Sequence, residues 1–272
     1  MLGPAYRSVC SLKPVRHRIA PWVRGHDEID AFSPDGRGLG PEVTLAAADR
    51  RSSLEGTTAV LLGAGAGHEA DMLAAHGVRH VIGADIEAHA QKWHAKRATL
   101  ARQGVESTFL LMDGGSLALK SKSVDLVFSQ SVLEHVMDLD ATLAEARRIL
   151  KPGGRFVAWY GPLWPTFGGP HVAELAYDHL LVDETSLIAK ARAVGDGWEY
   201  WLELGLFNEL RYDDYLELMG RHFDIDWVGV AGSREGAHYR DQYPEVWSQL
   251  CAAHSEFDLL TRLVGVVARP LG

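Results

Sequence analysis

The stretch AVLLGAGAGHEADML, Ala59–Leu73, decides how the rest of the chain reads. Apolar residues run into Gly63, Gly65 and Gly67, and a helical pattern follows. A short apolar run closed by a turn has the pattern of a buried parallel strand. Glycines after it let the backbone turn tightly and leave room for a ligand, because no Cβ stands in the way. The helix beyond them aims its free N–H groups over the turn.

The next apolar run strengthens this reading. HVIGAD, His80–Asp85, ends in an acid about 20 residues past the glycines, where a strand-tip carboxylate accepts both hydrogens of a ribose diol. The competing reading is a plain glycine-rich turn, with Asp85 capping the following helix. A nucleoside-containing ligand fits the wider pattern better.

Downstream, strands alternate with helices. The first strand is Ala59–Leu62, followed by a helix near His68–His76. The second strand is His80–Ala84, followed by a helix over about Glu87–Arg102. The third is Thr108–Met112, ending at Asp113, and the fourth is Val124–Ser129. A helical stretch covers Val132–Leu150, with a break near Asp138. LKPGG, Leu150–Gly154, stops it, since Pro and Gly together end a helix and start a turn. The fifth strand is Arg155–Tyr160. This spacing predicts an α/β, doubly wound, mostly parallel sheet. Residues 161–220 lack a buried-strand pattern, look helical and are rich in aromatics from Trp198 to Tyr215; they read as an insertion covering the site. Strand returns at Phe223–Val230, then a helix near Pro244–His254 and a last strand over about Leu260–Arg269.

Upstream, residues 1–55 read as an N-terminal arm and lid segment, and residues 56–272 as the main domain. Phe32–Glu42 is a loop by composition, and Leu45–Asp49 a short helix. The segment is expected across the sheet's C-terminal edge or its flank. It carries Arg7, Lys13, Arg16, Arg18 and Arg24 with no acid before Asp27. Pro4, Pro14 and Pro21 break any long amphipathic helix, which favours a solvated arm or active-site lid over a targeting peptide.

The 272 residues are 47% hydrophobic, enough for a substantial core, and carry a net charge of −9. That charge argues against nucleic acid or a membrane surface as partner. Cys10 and Cys251 are far apart and make no disulfide framework, so a cytoplasmic location is expected. No apolar run is long enough to span a bilayer. An oligomer is possible but nothing indicates one.

The landmarks GAGAG (Gly63–Gly67), Asp85, Asp113, VDLVFSQSVLEHV (Val124–Val136) and LKPGGRF (Leu150–Phe156) stand in the order found in the class I S-adenosylmethionine-dependent methyltransferases. Over Thr58–Tyr160 the chain resembles the members with a ubiquinone/menaquinone-biosynthesis type of core. The resemblance implies a seven-stranded, Rossmann-like methyltransferase fold, S-adenosylmethionine as cofactor and S-adenosylhomocysteine as product. It implies that Gly63, Ala64, Gly65 and Gly67 lie under the methionine and ribose. Asp85 would hold the ribose hydroxyls and Ile86 pack on adenine. Asp113 would accept from the adenine amino group and Gly114 donate its N–H to the ring. Ser129 and Gln130 would sit beside the methionine end. Asp125 and LKPGG are structural. The family's usual acid two residues before the first glycine is Leu61 here, and the expected substitute is Glu69 or a backbone carbonyl near Ser129.

A nicotinamide-dependent dehydrogenase is the competitor on the same fold. The glycines are spaced GxGxG rather than GxGxxG, with His68 where the third glycine would stand.

Methyl transfer to a hydroxyl calls for a base, and His135, just past the fourth strand, is the candidate. Its neighbour Glu134 is expected to face elsewhere. In YGPLWPTFGGPH, Tyr160, Trp164 and His171 leave the sheet at its functional edge and are the candidate acceptor contacts, on a glycine-bearing loop suited to a lid. His179 reads as core or surface. Asn208 and Arg211 read equally well as substrate contacts or helix caps. The 13 histidines make no HExxH and no obvious His–carboxylate spacing, so no metal is expected. The expected function is methyl transfer to a small-molecule acceptor, preferably a hydroxyl. The alternatives are a cofactor-binding protein without transfer activity and an enzyme of a different reaction such as a cyclisation.

Overall fold

A computed structural model describes residues 16–18 and 20–272. Arg7, Lys13 and Cys10, and with them most of the basic N-terminal stretch, lie outside the described residues. In strand β2 (Thr58–Leu62), Val60 and Leu62 enter one core cluster and Ala59 and Leu61 the other. Side chains alternate along a strand, so a run apolar at every position buries both faces. β5 (Val124–Gln130) does the same, with Val127 on the first face and Leu126 and Phe128 on the second.

The sheet has eight strands in the order β1-β7-β8-β6-β5-β2-β3-β4. The others are β1 (Ala31–Ser33), β3 (His80–Asp85), β4 (Glu106–Leu111), β6 (Leu150–Tyr160), β7 (Phe223–Gly232) and β8 (Thr261–Pro270). β8 runs antiparallel to β6 and β7, and every other pairing is parallel. Seven strands were expected. The eighth is β1, which pairs Ala31 with Gly229 and Ser33 with Ala231 at the edge. At three residues it is too short to show a period. It lies within the expected arm and lid segment, so this part of that segment extends the sheet instead.

Helices cover both faces. On one side α1 (Pro41–Asp49), α2 (Glu69–Ala75) and α3 (Ala90–Arg102) bury Leu45, Leu73 and Leu100. On the other, α4 (Leu139–Ile149) and α7 (Tyr212–Gly220) bury Leu143 and Met219. Asp138 caps α4 by accepting from the Ala141 N–H at 3.0 Å, which explains the break in helical pattern there.

LKPGG falls inside β6 rather than before it. Leu150 pairs with Val124, and the next pair is Arg155 with Leu126, so Lys151–Gly154 bulge opposite Asp125. Asp125 holds the bulge through the Lys151 ammonium at 2.9 Å and accepts the Thr58 N–H at 3.0 Å. It joins the starts of β2, β5 and β6.

The insertion has its own small core of Val172, Leu175, Leu187, Ala191, Leu202 and Phe207. Its helices are α5 (Glu184–Val194), capped by Asp183 and ended by left-handed Gly195, and the short α6 (Glu199–Glu203). Its first third is turns with two short 3₁₀ helices, Ala173–Leu175 and Asp178–Leu180, rather than α-helix. After β7 come α8 (Arg234–Gln242), α9 (Pro244–Leu250) and α10 (Glu256–Leu260), where one helix was expected. No helix among the described residues is long and apolar enough to cross a membrane.

Candidate active site

The carboxyl ends of β2, β3 and β4 lie side by side, because these strands are neighbours in the sheet. Gly63 and Ala64 both donate to the Ala84 carbonyl, at 2.9 and 3.0 Å. Gly65 donates to Asp85 Oδ2 at 2.6 Å, and Glu87 donates to Oδ1 at 2.8 Å. Met112 then donates to the Asp85 carbonyl at 2.8 Å, which brings Asp113 alongside. A carboxylate has about four acceptor directions. Asp85 therefore keeps two for a further donor.

Gly63, Gly65 and Gly67 all have positive φ, at 70°, 45° and 81°. A Cβ on Gly63 would stand 2.2 Å from Val132 Cγ2, whereas a Cβ on Gly65 would meet nothing within 4 Å. Gly63 is thus a packing requirement and Gly65 opens onto free space. Trp93, from α3, supports the turn by donating Nε1–H to the Gly65 carbonyl at 2.7 Å. Ala64 is buried, with its methyl directed toward Gly83. Ile86 is 71% exposed beside Asp85. Asp113 is exposed and accepts the Gly115 N–H at 2.7 Å. Gly114 packs under it, since a Cβ there would stand 3.2 Å from Leu62 and Thr142. Leu61 is buried in the core, so an acid at that position would lie among apolar side chains. Glu69 is half-buried at the start of α2.

A second group forms past β5 and β6. His135 lies in the turn Leu133–His135, and its Nδ1 sits 2.8 Å from the Leu206 carbonyl. A carbonyl only accepts, so Nδ1 carries the hydrogen and Nε2 the lone pair. Burial holds the imidazole below its usual pKa, partly offset by that bond. The His171 ring centre is 4.9 Å from that of His135. His171 Nε2 is buried without a partner, and burial, reinforced by His135, pushes its pKa down to about 3. Glu134 does not face elsewhere. It is 3% exposed, and its carboxylate and a nitrogen of each histidine all lie within 4.8 Å of one another. Neither of its oxygens has a well-formed hydrogen bond. Burial pushes its carboxyl up to about 8, only partly offset by the backbone of Glu134 and Gly161.

Other unpartnered buried polar atoms stand at the same edge of the sheet: Ser129 Oγ and Gln130 Oε1 at the end of β5, Tyr160 Oη at the end of β6 and Thr261 Oγ1 at the start of β8. Tyr160 is fully buried against Tyr215, at 4.5 Å between ring centres, and burial raises its pKa. Two non-glycine residues here hold left-handed backbone, Ser131 at φ 52° and His171 at φ 68°. Such strain costs about 1–3 kcal/mol and gathers at functional sites.

The insertion forms the wall. Trp164, Leu187, Ile188, Phe207, His179, Glu184 and Glu209 line a cavity of about 270 Å³. Phe207 is common to both regions, with its ring 4.9 Å from His135 and 5.4 Å from His171. His179 is held in that wall by the Trp164 carbonyl, 2.7 Å from Nε2. Asn208 does not cap a helix. It donates from Nδ2 to the Leu133 and Val136 carbonyls at 2.6 and 3.1 Å, clamping the turn that carries Glu134 and His135. Arg211 precedes α7 and is tied to Asp214, whose Oδ2 accepts the Arg211 N–H at 2.9 Å. Sequence reasoning missed the clamp and the inward path of Glu134, because both depend on how residues 161–211 fold back over the turn.

Residues 60–158 match the family model for a methyltransferase domain. An uncharacterized methyltransferase of Mycobacterium ulcerans is 32% identical over 169 residues, 61% of each chain. The dimethylglycine N-methyltransferase of Parasynechococcus marenigrum is 30% identical over 181 residues, 62% of this chain and 58% of that protein. Among solved structures, geranyl diphosphate C-methyltransferase from Streptomyces coelicolor, in complex with Mg²⁺, geranyl diphosphate and S-adenosyl-L-homocysteine, aligns with a TM-score of 0.54 at 16% identity. That alignment covers 84% of this chain and 80% of the other. Residues 60–158 are thus similar to a methyltransferase domain, and the fold around them is the one shared by solved S-adenosylmethionine-dependent methyltransferases. The chain spans about three fifths of the length of the curated relatives it matches.

Proposed function

We propose that the protein transfers a methyl group from S-adenosylmethionine to a small-molecule hydroxyl. The observation that carries this is the Asp85 carboxylate, held between the Gly65 and Glu87 N–H groups with acceptor capacity to spare, over a glycine whose Cβ direction is open. Asp85 takes the ribose diol, Ile86 covers adenine, and Asp113 and Gly114 read its edge. Gly63, Ala64, Gly65 and Gly67 give the ribose and methionine their backbone floor. Ser129 and Gln130, with unpartnered oxygens, meet the methionine end, and Glu69 takes the part of the acid that Leu61 replaces.

The acceptor lies toward Tyr160, Trp164 and His171. Methyl transfer is an in-line displacement, so holding the oxygen about 3 Å from the methyl carbon does much of the work. His135 Nε2 removes the acceptor's proton, a role its Nδ1–H bond to Leu206 prepares by fixing the tautomer. The cavity of about 270 Å³ beyond Phe207 suits a compact organic group.

A second reading, an amine acceptor, is favoured by Glu184 and Glu209 in the cavity wall, where a cation would offset the partial desolvation and the Glu184 repulsion that raise the Glu209 pKa.

Calorimetry with S-adenosylmethionine and S-adenosylhomocysteine tests the cofactor; absence of binding ends the assignment. A labelled-methyl screen over hydroxyl and amine acceptors separates the two readings. His135→Ala should lower turnover on a hydroxyl acceptor about 10²–10⁴-fold while leaving cofactor affinity unchanged. Wild-type turnover would place the base elsewhere.

A further inference from the structure

We propose that Glu134, His135 and His171 form a binding site for one divalent transition cation, against which the acceptor oxygen sits. The inference rests on the methyltransferase reading of the edge and changes the use of one group: the His135 lone pair holds the cation instead of taking the proton.

Three observations carry it. First, one donor atom from each residue lies within 4.8 Å of the other two. Two imidazoles and a carboxylate are the protein ligands of many zinc and iron(II) sites, with positions left open. Second, the donors lack strong partners. Glu134 is 97% buried, and neither oxygen has a well-formed hydrogen bond, although the backbone of Glu134 and Gly161 approaches the carboxylate. A buried carboxylate with no cationic partner is costly unless metal-bound. His171 Nε2 is also buried and unpartnered. Third, His135 already has the outer partner that metal-binding histidines use. Its Nδ1–H donates to the Leu206 carbonyl at 2.8 Å, which leaves Nε2 for a ligand.

Beyond the backbone of Glu134 and Gly161, the surrounding side chains do not pair with the cluster. From the insertion, Trp198 packs on both histidine rings, at 6.0 and 4.4 Å, and offers no anion. From β8, Arg262 faces His171, but its Nη1 is paired with Glu235 at 3.3 Å. Asn208 fixes the turn that carries two of the ligands. The loop after β6 brings the third, with His171 held at φ 68°.

The chemistry follows. An acceptor hydroxyl on the cation is acidified and gives its proton to solvent. Its oxygen then bonds to the methyl carbon as the methyl–sulfur bond breaks. The products are the methyl ether, the neutral thioether S-adenosylhomocysteine and one proton, so atoms and charge balance.

The test uses the full chain stripped with chelator and titrated with Co²⁺ alone. Bound metal is counted after equilibrium dialysis, and coordination is read by visible ligand-field absorption. The expected result is one Co²⁺ per chain. Glu134→Gln and His171→Asn should each weaken it by roughly 10–100-fold or more, since losing a ligand costs no less than losing an outer partner. His238→Ala, on the exposed face of α8, should leave it unchanged. Circular dichroism checks folding; if Glu134→Gln fails to fold, His171→Asn and the wild-type titration decide. No Co²⁺ bound by the wild type, or equal affinity in the ligand variants, overturns the proposal. S-adenosylmethionine calorimetry without metal is read separately. Cofactor binding without cobalt binding removes the cation and leaves His135 as base. Cobalt binding without cofactor binding removes the methyltransferase reading and keeps the site.

Discussion

Asp85 is the residue on which the cofactor assignment turns. Its side chain joins the glycine turn to the tip of β3 and, in the proposed function, also holds the ribose. Asp85→Ala should weaken S-adenosylmethionine binding by about 1.5–3 kcal/mol, the worth of hydrogen bonds to a charged group. Calorimetry at equal folded fraction reads this, and unchanged affinity would remove Asp85 from the site. Gly63 carries a different constraint. An alanine there meets Val132 at 2.2 Å and must hold φ near 70°. Gly63→Ala should destabilise by about 1–3 kcal/mol. Adding Val132→Ala should restore only the steric share, as urea unfolding would show; full rescue would mean that the backbone conformation costs nothing. Both residues were legible in the sequence, because a glycine turn and a strand-tip acid are local features at fixed spacing. Glu134 was not. Adjacent residues on a regular helix point about 100° apart, which sends Glu134 away from His135. The turn they occupy is a 3₁₀ turn, and both sides of it are covered.

At the scale of elements, the Leu133–His135 turn is a bridge between sheet and insertion. It is held from the insertion by Asn208 at two carbonyls and by Leu206 at His135, and the Asn208 N–H donates to the Glu134 carbonyl at 3.1 Å. Tyr215, from α7, completes the clamp by donating to Asn208 Oδ1 at 2.8 Å. Asn208→Ala should therefore cost about 1–3 kcal/mol of stability and lower turnover with little change in cofactor affinity. Asn208→Asp keeps the Tyr215 bond but not the two donated ones, so it should fail to rescue; recovery by Asp would show that the Tyr215 contact is what matters. The elements of the sheet were readable from period and punctuation. The exceptions are instructive. β1 is three residues long, α8 is polar with only Gly236 buried, and LKPGG is a bulge anchored by Asp125 rather than a turn. None of the three leaves an apolar rhythm to read.

At the scale of the whole molecule, the sheet core and the core of the insertion, of different size, are coupled through the candidate site. The sheet core fills both faces of the central strands, whereas the insertion gathers around six buried residues and short helices. Local opening is easiest where few apolar contacts hold the backbone. Amides of α5 and α6 should therefore exchange with deuterium faster than those of β2, β5 and β6. The two cores meet at His135, whose ring lies between the sheet edge and Trp198, Trp201 and Phe207 of the insertion. A ligand that orders the turn must then order the wall. S-adenosylhomocysteine together with an acceptor should slow exchange in α5 and α6 more than S-adenosylhomocysteine alone, since only the acceptor reaches the cavity side of Phe207. Asn208→Ala should erase that difference, because it cuts the link and leaves both binding surfaces in place. Protection of α5 and α6 equal to that of the central strands in the free protein, or a full acceptor effect in the variant, would show that the insertion is part of one rigid core and does not close over the site.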